Sequence, residues 1–288
     1  MKRHMPKTFD YLTNELEAID LMGYTKIGAN TIPNIFGLLS GFSQTELSEM
    51  DCPHDKVFDN CTFLWDLFSE NNYTTIFSED ALWMGLFRYV HRGYVNEPTD
   101  YYLHPFYLLS EKYIGHYELS GKSHQSICQG DKMAIDVMYD FAIEASRSLK
   151  DVPHFGFFES AGLAHDILKY SAACDDPSYN ALKKLNLSGA LNNTILFFIS
   201  DHGLRFGKIT STNIGYYEGR LPYHMIVFPK WFRKVYPTIW KNLQTNQERL
   251  TCPFDIHQTI KDILYQRFYE DDSPREGHGR SLFLGLCI

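Results

Sequence analysis

The sequence predicts an α/β fold in which helices cover both faces of a mostly parallel sheet, the α/β/α sandwich arrangement. Short apolar runs alternate with amphipathic segments along the chain, and no internal repeat, low-complexity tract or linker divides it. With 288 residues and 44% hydrophobic content, the chain can bury one large core. We therefore expect a single domain over residues 1–288.

The strands are predicted from runs rich in β-branched and aromatic residues. The last three runs carry the clearest pattern, because they are short, apolar and bounded by turn-forming or polar residues. The predicted strands are 24–28 (YTKIG), 73–79 (YTTIFSE), 154–160 (HFGFFES), 194–200 (TILFFIS) and 224–229 (HMIVFP).

Amphipathic segments between these runs predict the helices, which are 7–19, 62–71, 132–150, 179–191, 231–244 and 255–268. In the last of them Asp255 is placed to cap the helix after Pro253, and apolar residues follow at helical spacing. Strands separated by helices indicate right-handed βαβ units. In such sheets, ligands bind at the carboxyl ends of the strands.

The charge balance argues against a nucleic-acid partner. The chain has 27 basic and 35 acidic side chains, a net charge of -8, and no long basic run. No apolar run is long enough to span a bilayer, and the basic start MKRHMPKTFDYL is not followed by the apolar segment of a signal peptide. The sequence therefore shows neither a membrane span nor a targeting segment.

Cysteines and glycosylation sequons point towards an oxidising compartment. The six cysteines form no CxxC pair, and Cys52 and Cys61 are the best candidates for a disulfide because they flank a short polar loop. A cytosolic protein with free thiols and accidental sequons is the alternative. The four N-x-S/T sequons, which would accept glycans in the secretory pathway, begin at Asn60, Asn72, Asn186 and Asn192.

Thr31 lies where an apparent strand gives way to a helix, in the stretch GANTIPNIFGLLSG of residues 28–41. A Thr close to Pro33 is an ordinary helix start, so the hydroxyl can serve simply as a cap. Free amide donors and the positive end of the helix dipole also favour a nucleophilic oxygen or a bound anion at this position. Position alone leaves both interpretations open.

Asp201 and His202 follow directly from the apolar run TILFFIS, in the sequence SDHG. A carboxylate and an imidazole side by side at a strand end are good ligands for Zn²⁺ or a similar ion, and Gly203 lets the backbone turn away. The alternative is an ordinary strand-to-turn junction in which Asp and Gly are common.

His165 is a second candidate, in the segment FFESAGLAHDILKY. A turn near Gly162 would bring it towards the sheet edge, where it could bind a second metal or an anionic substrate, or have only structural duties. The other histidines have no paired ligand in sequence, and we expect surface or packing roles for them, although His257 and His278 could reach a site.

These residues resemble the sulfatase-like family DUF229 of the alkaline phosphatase superfamily. The similarity runs through MPKTFDYL, GYTKIGANTIPN, TIFSEDALW, NEPTDYYLHPF, ISDHGLRFG, RLPYHMIVFPKWFRKVYP, FDIHQTIKDIL and GRSLF, which together span nearly the whole chain. The elements NTIPN and SDHG also look like the nucleophile and metal motifs of nucleotide pyrophosphatases and of lipoteichoic-acid and phosphoethanolamine transferases.

The resemblance implies that Thr31 is the nucleophile and that Asp201 and His202 bind the metal that activates it. The metal would be zinc, with manganese or calcium as alternatives. In two-metal relatives a carboxylate precedes the counterpart of His165, and Ala161 stands at that place here. The resemblance therefore implies either a second-metal role for His165 or the orientation of a substrate oxyanion.

In relatives of this kind a first core strand ends in an acidic metal ligand and precedes the helix that MPKTFDYL begins. Here that helix starts almost at Met1. We therefore expect the upstream genomic sequence to encode an apolar strand ending in Asp or Glu, preceded by a signal or membrane anchor. We also expect negligible esterase activity from the 288-residue chain alone with added Zn²⁺ or Mn²⁺.

The function that follows by resemblance is metal-dependent hydrolysis or transfer of a sulfate or phosphate ester, with a small ester or a glycan as substrate and an extracellular or secretory location. The rival is a catalytically dead extracellular binding module. The two differ in that only the first requires a bound metal.

Overall fold

The computed structural model describes residues 1–82, 85–114, 116–117, 127–165, 168–205, 207–268 and 277–286. Its strands are β1 (Ile19–Asp20), β2 (Thr74–Glu79), β3 (Tyr101–Tyr102), β4 (His116–Tyr117), β5 (Cys128–Gln129), β6 (Lys132–Met133), β7 (His154–Glu159), β8 (Leu196–Ile199) and β9 (His224–Val227).

The α-helices are α1 (Pro6–Asp10), α2 (Thr31–Ser40), α3 (Gln44–Glu49), α4 (Leu64–Glu70), α5 (His104–Tyr113), α6 (Ala134–Ser148), α7 (Asp175–Leu187), α8 (Asn213–Glu218), α9 (Phe232–Val235), α10 (Pro237–Asn246) and α11 (Pro253–Leu264). A π-helical turn covers Tyr11–Glu15, and 3₁₀ turns cover Leu168–Cys174, Ala190–Asn192 and Lys208–Ser211.

The chain forms two compact units, each built from two segments. The first unit comprises Met1–Phe9 and Asp51–Ala190, and the second comprises Asp10–Met50 and Leu191–Ile288. The prediction of a single domain over residues 1–288 stays a prediction.

The first unit contains the parallel sheet that the sequence predicts. Strand β2 lies between β3 and β7 and pairs in parallel with both, with Glu79 opposite Glu159 at the carboxyl end. Buried aromatic rings pack beside this sheet, and Trp65 stacks on Phe77 with ring centroids 5.3 Å apart. The strands are short and rich in aromatic and β-branched residues, which favour a pleated, buried surface.

Asp80 fastens the carboxyl ends of β2 and β7 to each other. Its buried carboxylate accepts hydrogen bonds from the Ser160 hydroxyl at 2.6 Å and from the backbone N–H groups of Ala161 at 2.8 Å and Gly162 at 2.9 Å. A buried carboxylate requires such donors, because its desolvation is otherwise costly. Asp80 therefore fixes the turn that leads from β7 to His165.

A disulfide joins Cys52 to Cys61 in the first unit, as the sequence predicts. The side chain of Asn60 lies inside this loop, where its amide donates to the Asp51 carbonyl at 2.7 Å. Among the described residues, free thiols are recorded for Cys128, Cys174 and Cys252.

In the second unit the sheet is antiparallel, in the order β1-β9-β8. Helix α2 packs against α11, where His257 donates from Nδ1 to the Leu38 carbonyl at 2.9 Å. Helix α2 ends at Gly41, which has the left-handed conformation (φ 79°) that glycine adopts most readily at a helix end.

The predicted strand at 24–28 is wrong. Tyr24 forms an isolated bridge with Thr251, but the next backbone N–H groups go to separate partners, Thr25 to the Thr251 carbonyl and Lys26 to the Arg220 carbonyl. The backbone N–H groups of this segment therefore form hydrogen bonds with several parts of the unit instead of with one neighbouring strand.

Two predicted helices are shorter or divided in the structure. The helix predicted at 7–19 gives way to the π-helical turn at Tyr11, and the helix predicted at 231–244 is broken at Tyr236 (φ -124°, ψ 63°). Pro237 explains the break, because proline disfavours the helical conformation of the residue before it.

Glu79 is a buried acid in the first unit, with 1% of its surface exposed. Burial raises its pKa to about 7, although the hydrogen bond from Leu86 N–H and the charge of Arg88 act in the opposite direction and Asp80 adds to the rise. The nearby imidazole of His104, 4.0 Å away, has its pKa lowered to about 4 by burial and by Arg88. Glu79 therefore holds a proton in the folded state at mildly acidic pH.

We predict that Glu79→Gln removes part of the pH dependence of stability. Between the ordinary pKa of 4.5 and about 7 the folded state binds more protons than the unfolded state, so this group makes the protein less stable as pH rises. The contribution is about 1 kcal/mol per pH unit. Urea unfolding at pH 5 and pH 7 should show the Gln variant gaining stability relative to wild type at the higher pH.

Glu97→Gln, at an exposed position, is the matched control and should show no such gain. A constant difference between wild type and Glu79→Gln across this pH range would contradict the assignment of a protonated Glu79.

Candidate functional site

Asp201 and His202 follow strand β8 and form part of the candidate site in the second unit. The Ser200 N–H continues the pairing by donating to the Tyr223 carbonyl at 2.9 Å, and the chain then leaves the sheet. The Ser200 hydroxyl donates to the His202 carbonyl at 3.0 Å, and the Asp201 Oδ1 accepts the His202 N–H at 2.8 Å. These local bonds hold the two side chains in a tight turn directly after the strand.

Gly203 allows another part of the unit to approach this turn. Its N–H donates to the Gly219 carbonyl at 3.4 Å, and a Cβ atom at this position would lie 2.0 Å from the Glu218 carbonyl oxygen. No residue with a side chain fits without moving the backbone. The glycine of SDHG is thus required by a close backbone approach.

The Gly203 carbonyl also sets the tautomer of His202. The imidazole Nδ1 lies 2.8 Å from this oxygen, and because a carbonyl can only accept, Nδ1 carries the proton. The Nε2 atom then has a free lone pair. Burial lowers the pKa of His202, with the nearby charges of Arg205 and Lys26 adding to the effect and Asp201 opposing it, so the ring is neutral at pH 7.

Two further possible metal donors lie beside the Nε2 atom. It lies 3.4 Å from the Thr31 Oγ1 and 3.3 Å from the Asp201 Oδ2. A lone pair that faces a carboxylate oxygen is stabilised by a cation or a proton between them. The spacing is close to the separation of neighbouring ligands around a tetrahedral zinc ion, about 3.3 Å for zinc–ligand bonds near 2 Å.

The chemistry of these donors therefore fits a divalent metal, with Asp201 and His202 as its side-chain ligands. Within the described part of the chain, however, no group of three or more His, Cys, Asp and Glu side chains converges. The donor set in the second unit is one carboxylate, one imidazole nitrogen and the Thr31 hydroxyl.

Asn34 places Thr31 at the start of α2. This buried amide lies one turn into the helix and folds back: its oxygen accepts the N–H groups of Ile27 at 2.8 Å and Gly28 at 3.0 Å, and its nitrogen donates to the carbonyls of Gly28 at 3.2 Å and Asn30 at 2.8 Å. All four bonds go to the loop before the helix. The loop is therefore held rigidly where Thr31 leaves it.

The structure gives the N-cap position to Asn30 (φ -137°, ψ -176°), and Thr31 is the first helical residue. The Thr31 hydroxyl interacts with His202 Nε2, to which it can donate. It also lies at the positive end of the helix dipole, which favours negative charge on its oxygen. The geometry therefore places the Thr31 hydroxyl beside the Nε2 atom of His202 and in a field that favours negative charge on its oxygen.

His165 belongs to the first unit, on the turn that Asp80 fixes after β7. Its N–H donates to the Ala161 carbonyl at 3.1 Å. Thr31, Asp201 and His202 all belong to the second unit. The role of His165 in binding a substrate or a second metal stays a prediction.

All four predicted glycosylation acceptors are exposed, as a glycan requires. Glycosylation itself stays a prediction. Among the described helices none is both long and apolar enough to cross a bilayer.

Sequence reasoning missed Asn34 and a group of cations: Arg205 and Arg220 act electrostatically on Lys26, which is also close to Asp201. Asn34 carries a weak signal, since a polar residue in the apolar helix TIPNIFGLLS needs hydrogen-bond partners when it is buried. The cations come from segments up to 194 residues apart (220 - 26), so only the fold brings them together.

Comparison with known proteins identifies the family. Residues 1–286 match the family described as "Protein of unknown function (DUF229)". The chain belongs to this family. A search of curated proteins gave no match.

Solved structures identify the fold of this DUF229 chain. A protein of the alkaline phosphatase superfamily from Vibrio parahaemolyticus has a TM-score of 0.57 and 13% identity, with 91% of this chain and 60% of that protein covered. A Bacteroides thetaiotaomicron protein, from a study of a locus for the metabolism of multiple glycosaminoglycans, has a TM-score of 0.58 and 14% identity, covering 95% and 75%. A sulfatase from Pseudoalteromonas sp. has a TM-score of 0.55 and 16% identity, covering 90% and 62%.

The predicted family and fold class are thus confirmed: this is a mixed α/β protein with a parallel sheet and the alkaline phosphatase/sulfatase fold. The chain spans about 60% of the length of the Vibrio protein. At these identities the likeness shows the fold alone.

We predict that Asn34→Ala loosens the loop before Thr31. Loss of the buried amide leaves the Ile27 and Gly28 N–H groups without their acceptor, and should lower the free energy of unfolding by about 2 to 4 kcal/mol. Hydrogen exchange followed by mass spectrometry or NMR should show faster exchange at these two amides, in excess of the change expected from global stability.

Asn246→Ala is the matched control. This buried amide, also in the second unit, donates to the Leu282 and Leu284 carbonyls and accepts the Leu286 N–H. Its loss should destabilise the protein without a specific effect at Ile27 and Gly28. Equal local exchange in the two variants would contradict the positioning role of Asn34.

Proposed function

We propose that the second unit carries a metal-dependent hydrolase or transferase site that attacks a sulfate or phosphate ester through Thr31. The observation that supports this most strongly is the approach of the Thr31 hydroxyl to the lone pair of His202 Nε2, at 3.4 Å, beside the carboxylate of Asp201. The family relationship and the fold are consistent with this chemistry, since a solved sulfatase shares the fold.

Asp201 and His202 would hold the divalent metal, for which zinc suits the nitrogen and oxygen donors and manganese or calcium are alternatives. When bound, the metal would stabilise the deprotonated Thr31 oxygen and offset negative charge on the ester. Asp201 would neutralise part of the metal charge, and His202 keeps its proton on Nδ1 through the Gly203 carbonyl.

Thr31 carries out the chemical step. Its oxygen forms a bond to the sulfur or phosphorus atom while the bond from that atom to the leaving alcohol oxygen breaks, and the proton lost by Thr31 ends on that alcohol. Water then cleaves the threonyl ester in a hydrolase, whereas an acceptor alcohol does so in a transferase. Asn34 keeps the nucleophile in place through the loop that it binds.

A glycan or a small organic ester would be the substrate. The Bacteroides thetaiotaomicron neighbour comes from a study of glycosaminoglycan metabolism, which is consistent with a sulfated sugar. A secretory location agrees with the Cys52–Cys61 disulfide and the exposed sequons.

We predict that Zn²⁺ or Mn²⁺ raises the melting temperature of the protein and that Asp201→Asn and His202→Ala each remove most of this shift. The reason is that a ligand bound only by the folded state stabilises it. Titration with each metal, followed by calorimetry, measures the effect. Asp59→Asn in the first unit, an exposed carboxylate that binds the Val95 and Asn96 N–H groups, is the control and should keep the full metal shift.

We also predict that Thr31 becomes covalently labelled when the metal-loaded protein meets an activated ester such as 4-nitrophenyl sulfate or bis(4-nitrophenyl) phosphate. Mass spectrometry should find the added group on the peptide that contains Thr31. The label should be absent from Thr31→Ala, retained in Thr31→Ser because the hydroxyl remains, and retained in Thr245→Ala, which removes an exposed hydroxyl of α10.

Single-turnover labelling is the sharper readout because it detects the nucleophile directly and does not require repeated turnover. Robust metal-dependent turnover that Thr31→Ala abolishes would also support the nucleophile. Metal binding without any label on Thr31 would favour the rival function, an extracellular binding module.

A further inference from the structure

Three cationic side chains from separate segments lie at or beside the candidate site of the second unit: Lys26 and Arg205 act electrostatically on His202, and Arg220 acts on Lys26. Lys26 lies in the loop before α2, Arg205 follows His202, and Arg220 follows α8. We refer to Lys26, Arg205 and Arg220 as the cation cluster. None of the three is needed to hold the metal or to place Thr31.

Backbone hydrogen bonds fasten these segments to one another. The Arg220 carbonyl accepts the Lys26 N–H at 3.0 Å and the Thr25 hydroxyl at 3.3 Å. The Gly203 N–H donates to the Gly219 carbonyl, so the turn that carries His202 is tied to the same segment. The segments that carry the cation cluster are therefore held together by the fold.

The charges of the cation cluster act on one another. The pKa of Lys26 is lowered, first by burial and then by the positive charges of Arg220 and Arg205, while Asp201 raises it. Their positive charges attract an anion that binds beside them. The cluster thus favours a negatively charged ligand beside Thr31.

Two exposed aromatic rings adjoin the cation cluster on α8. Tyr216 and Tyr217 are 51% and 61% exposed, and their rings meet edge to face with centroids 5.5 Å apart. The guanidinium of Arg220 lies over the Tyr216 ring, 3.7 Å from its centroid, and donates to the Tyr216 carbonyl at 3.1 Å. Arg220 is thereby held in position, and the Tyr217 ring stays available for packing.

We propose that the cation cluster, together with Tyr216 and Tyr217, forms a subsite for an acidic sugar of a glycan. The guanidinium and ammonium groups bind the sulfate or carboxylate of the sugar, and the Tyr217 ring packs against the apolar C–H face of the pyranose. This inference rests on the proposed function to the extent that the glycan carries the ester on which Thr31 acts. It narrows the substrate class to glycans with an anionic group besides the reacting ester.

An acidic sugar suits this surface better than a nucleic acid does. The three cations form a compact group at one site, whereas the chain as a whole has a net charge of -8 and no basic run to follow a phosphate backbone. A simple ester with an uncharged leaving group would use the metal site but not three further cations.

The test measures binding by the full chain in a Thr31→Ala background with a chelator present, so that no reaction interferes. The probes are a size-defined heparin oligosaccharide and its chemically desulfated counterpart, compared by calorimetry at one salt concentration. The sulfated probe should bind, and Lys26→Ala, Arg205→Ala and Arg220→Ala should each weaken its binding about tenfold, the usual scale for one lost charge-assisted hydrogen bond. Tyr217→Ala should weaken it severalfold.

Arg267→Ala is the matched control. Arg267 also lies over a tyrosine ring, that of Tyr265 at 4.9 Å, but it follows the carboxyl end of α11 in the second unit. Its loss should leave the affinity unchanged. An equal loss in this control, an affinity unaffected by the three cluster substitutions, or equal binding of the desulfated probe would overturn the subsite.

A single-stranded oligonucleotide that binds as tightly as the sulfated probe would overturn the assignment to a sugar. The experiments also test the subsite and the proposed reaction independently of each other. Cluster-dependent glycan binding without labelling of Thr31 would leave the subsite standing and reject the nucleophile, whereas labelling without glycan binding would do the reverse.

Discussion

The turn at Gly203 is the constraint on which the candidate site depends. Its carbonyl holds the proton of His202 on Nδ1 and so directs the Nε2 lone pair towards Thr31 and Asp201. Its missing side chain allows the segment after α8 to approach within hydrogen-bonding distance. That segment, through the Arg220 carbonyl, in turn holds the loop that contains Lys26. One glycine therefore links Asp201 and His202, the loop before Thr31 and the cation cluster.

Helix α2, which begins at Thr31, also holds this residue in place. Asn34 uses all of its hydrogen-bonding capacity on the loop that precedes α2, so the helix start cannot shift without breaking buried bonds. On the other side of α2, His257 binds the Leu38 carbonyl and anchors the helix to α11. If Thr31 acts as the proposed nucleophile, such a support would reduce the reorganisation needed to reach its target.

The sequence was sufficient to predict the parts of the structure that depend on local pattern. The strands at β2, β7, β8 and β9 follow from dense runs of β-branched and aromatic residues, and the disulfide follows from a short loop between two cysteines. The strand predicted at 24–28 is wrong because its N–H groups bond to two separate segments, through the Thr251 and Arg220 carbonyls, instead of to one neighbouring strand. The cation cluster was missed because its members come from segments that only the fold brings together. Neither arrangement leaves a periodic pattern in the local sequence.

The buried carboxylates that stabilise the fold differ in their surroundings from the charged groups around Thr31. Asp80 and Asp175 are buried, and each is satisfied by several N–H or O–H donors of its own unit, which stabilises the fold directly. Around Thr31 the pattern is reversed: the Nε2 lone pair of His202 faces a carboxylate oxygen, and Lys26 lies close to two arginines. A cation between the imidazole and the carboxylate would stabilise the first arrangement, and an anion beside the cations would stabilise the second. A divalent metal and a negatively charged ester, the ligands of the proposed function, would supply both.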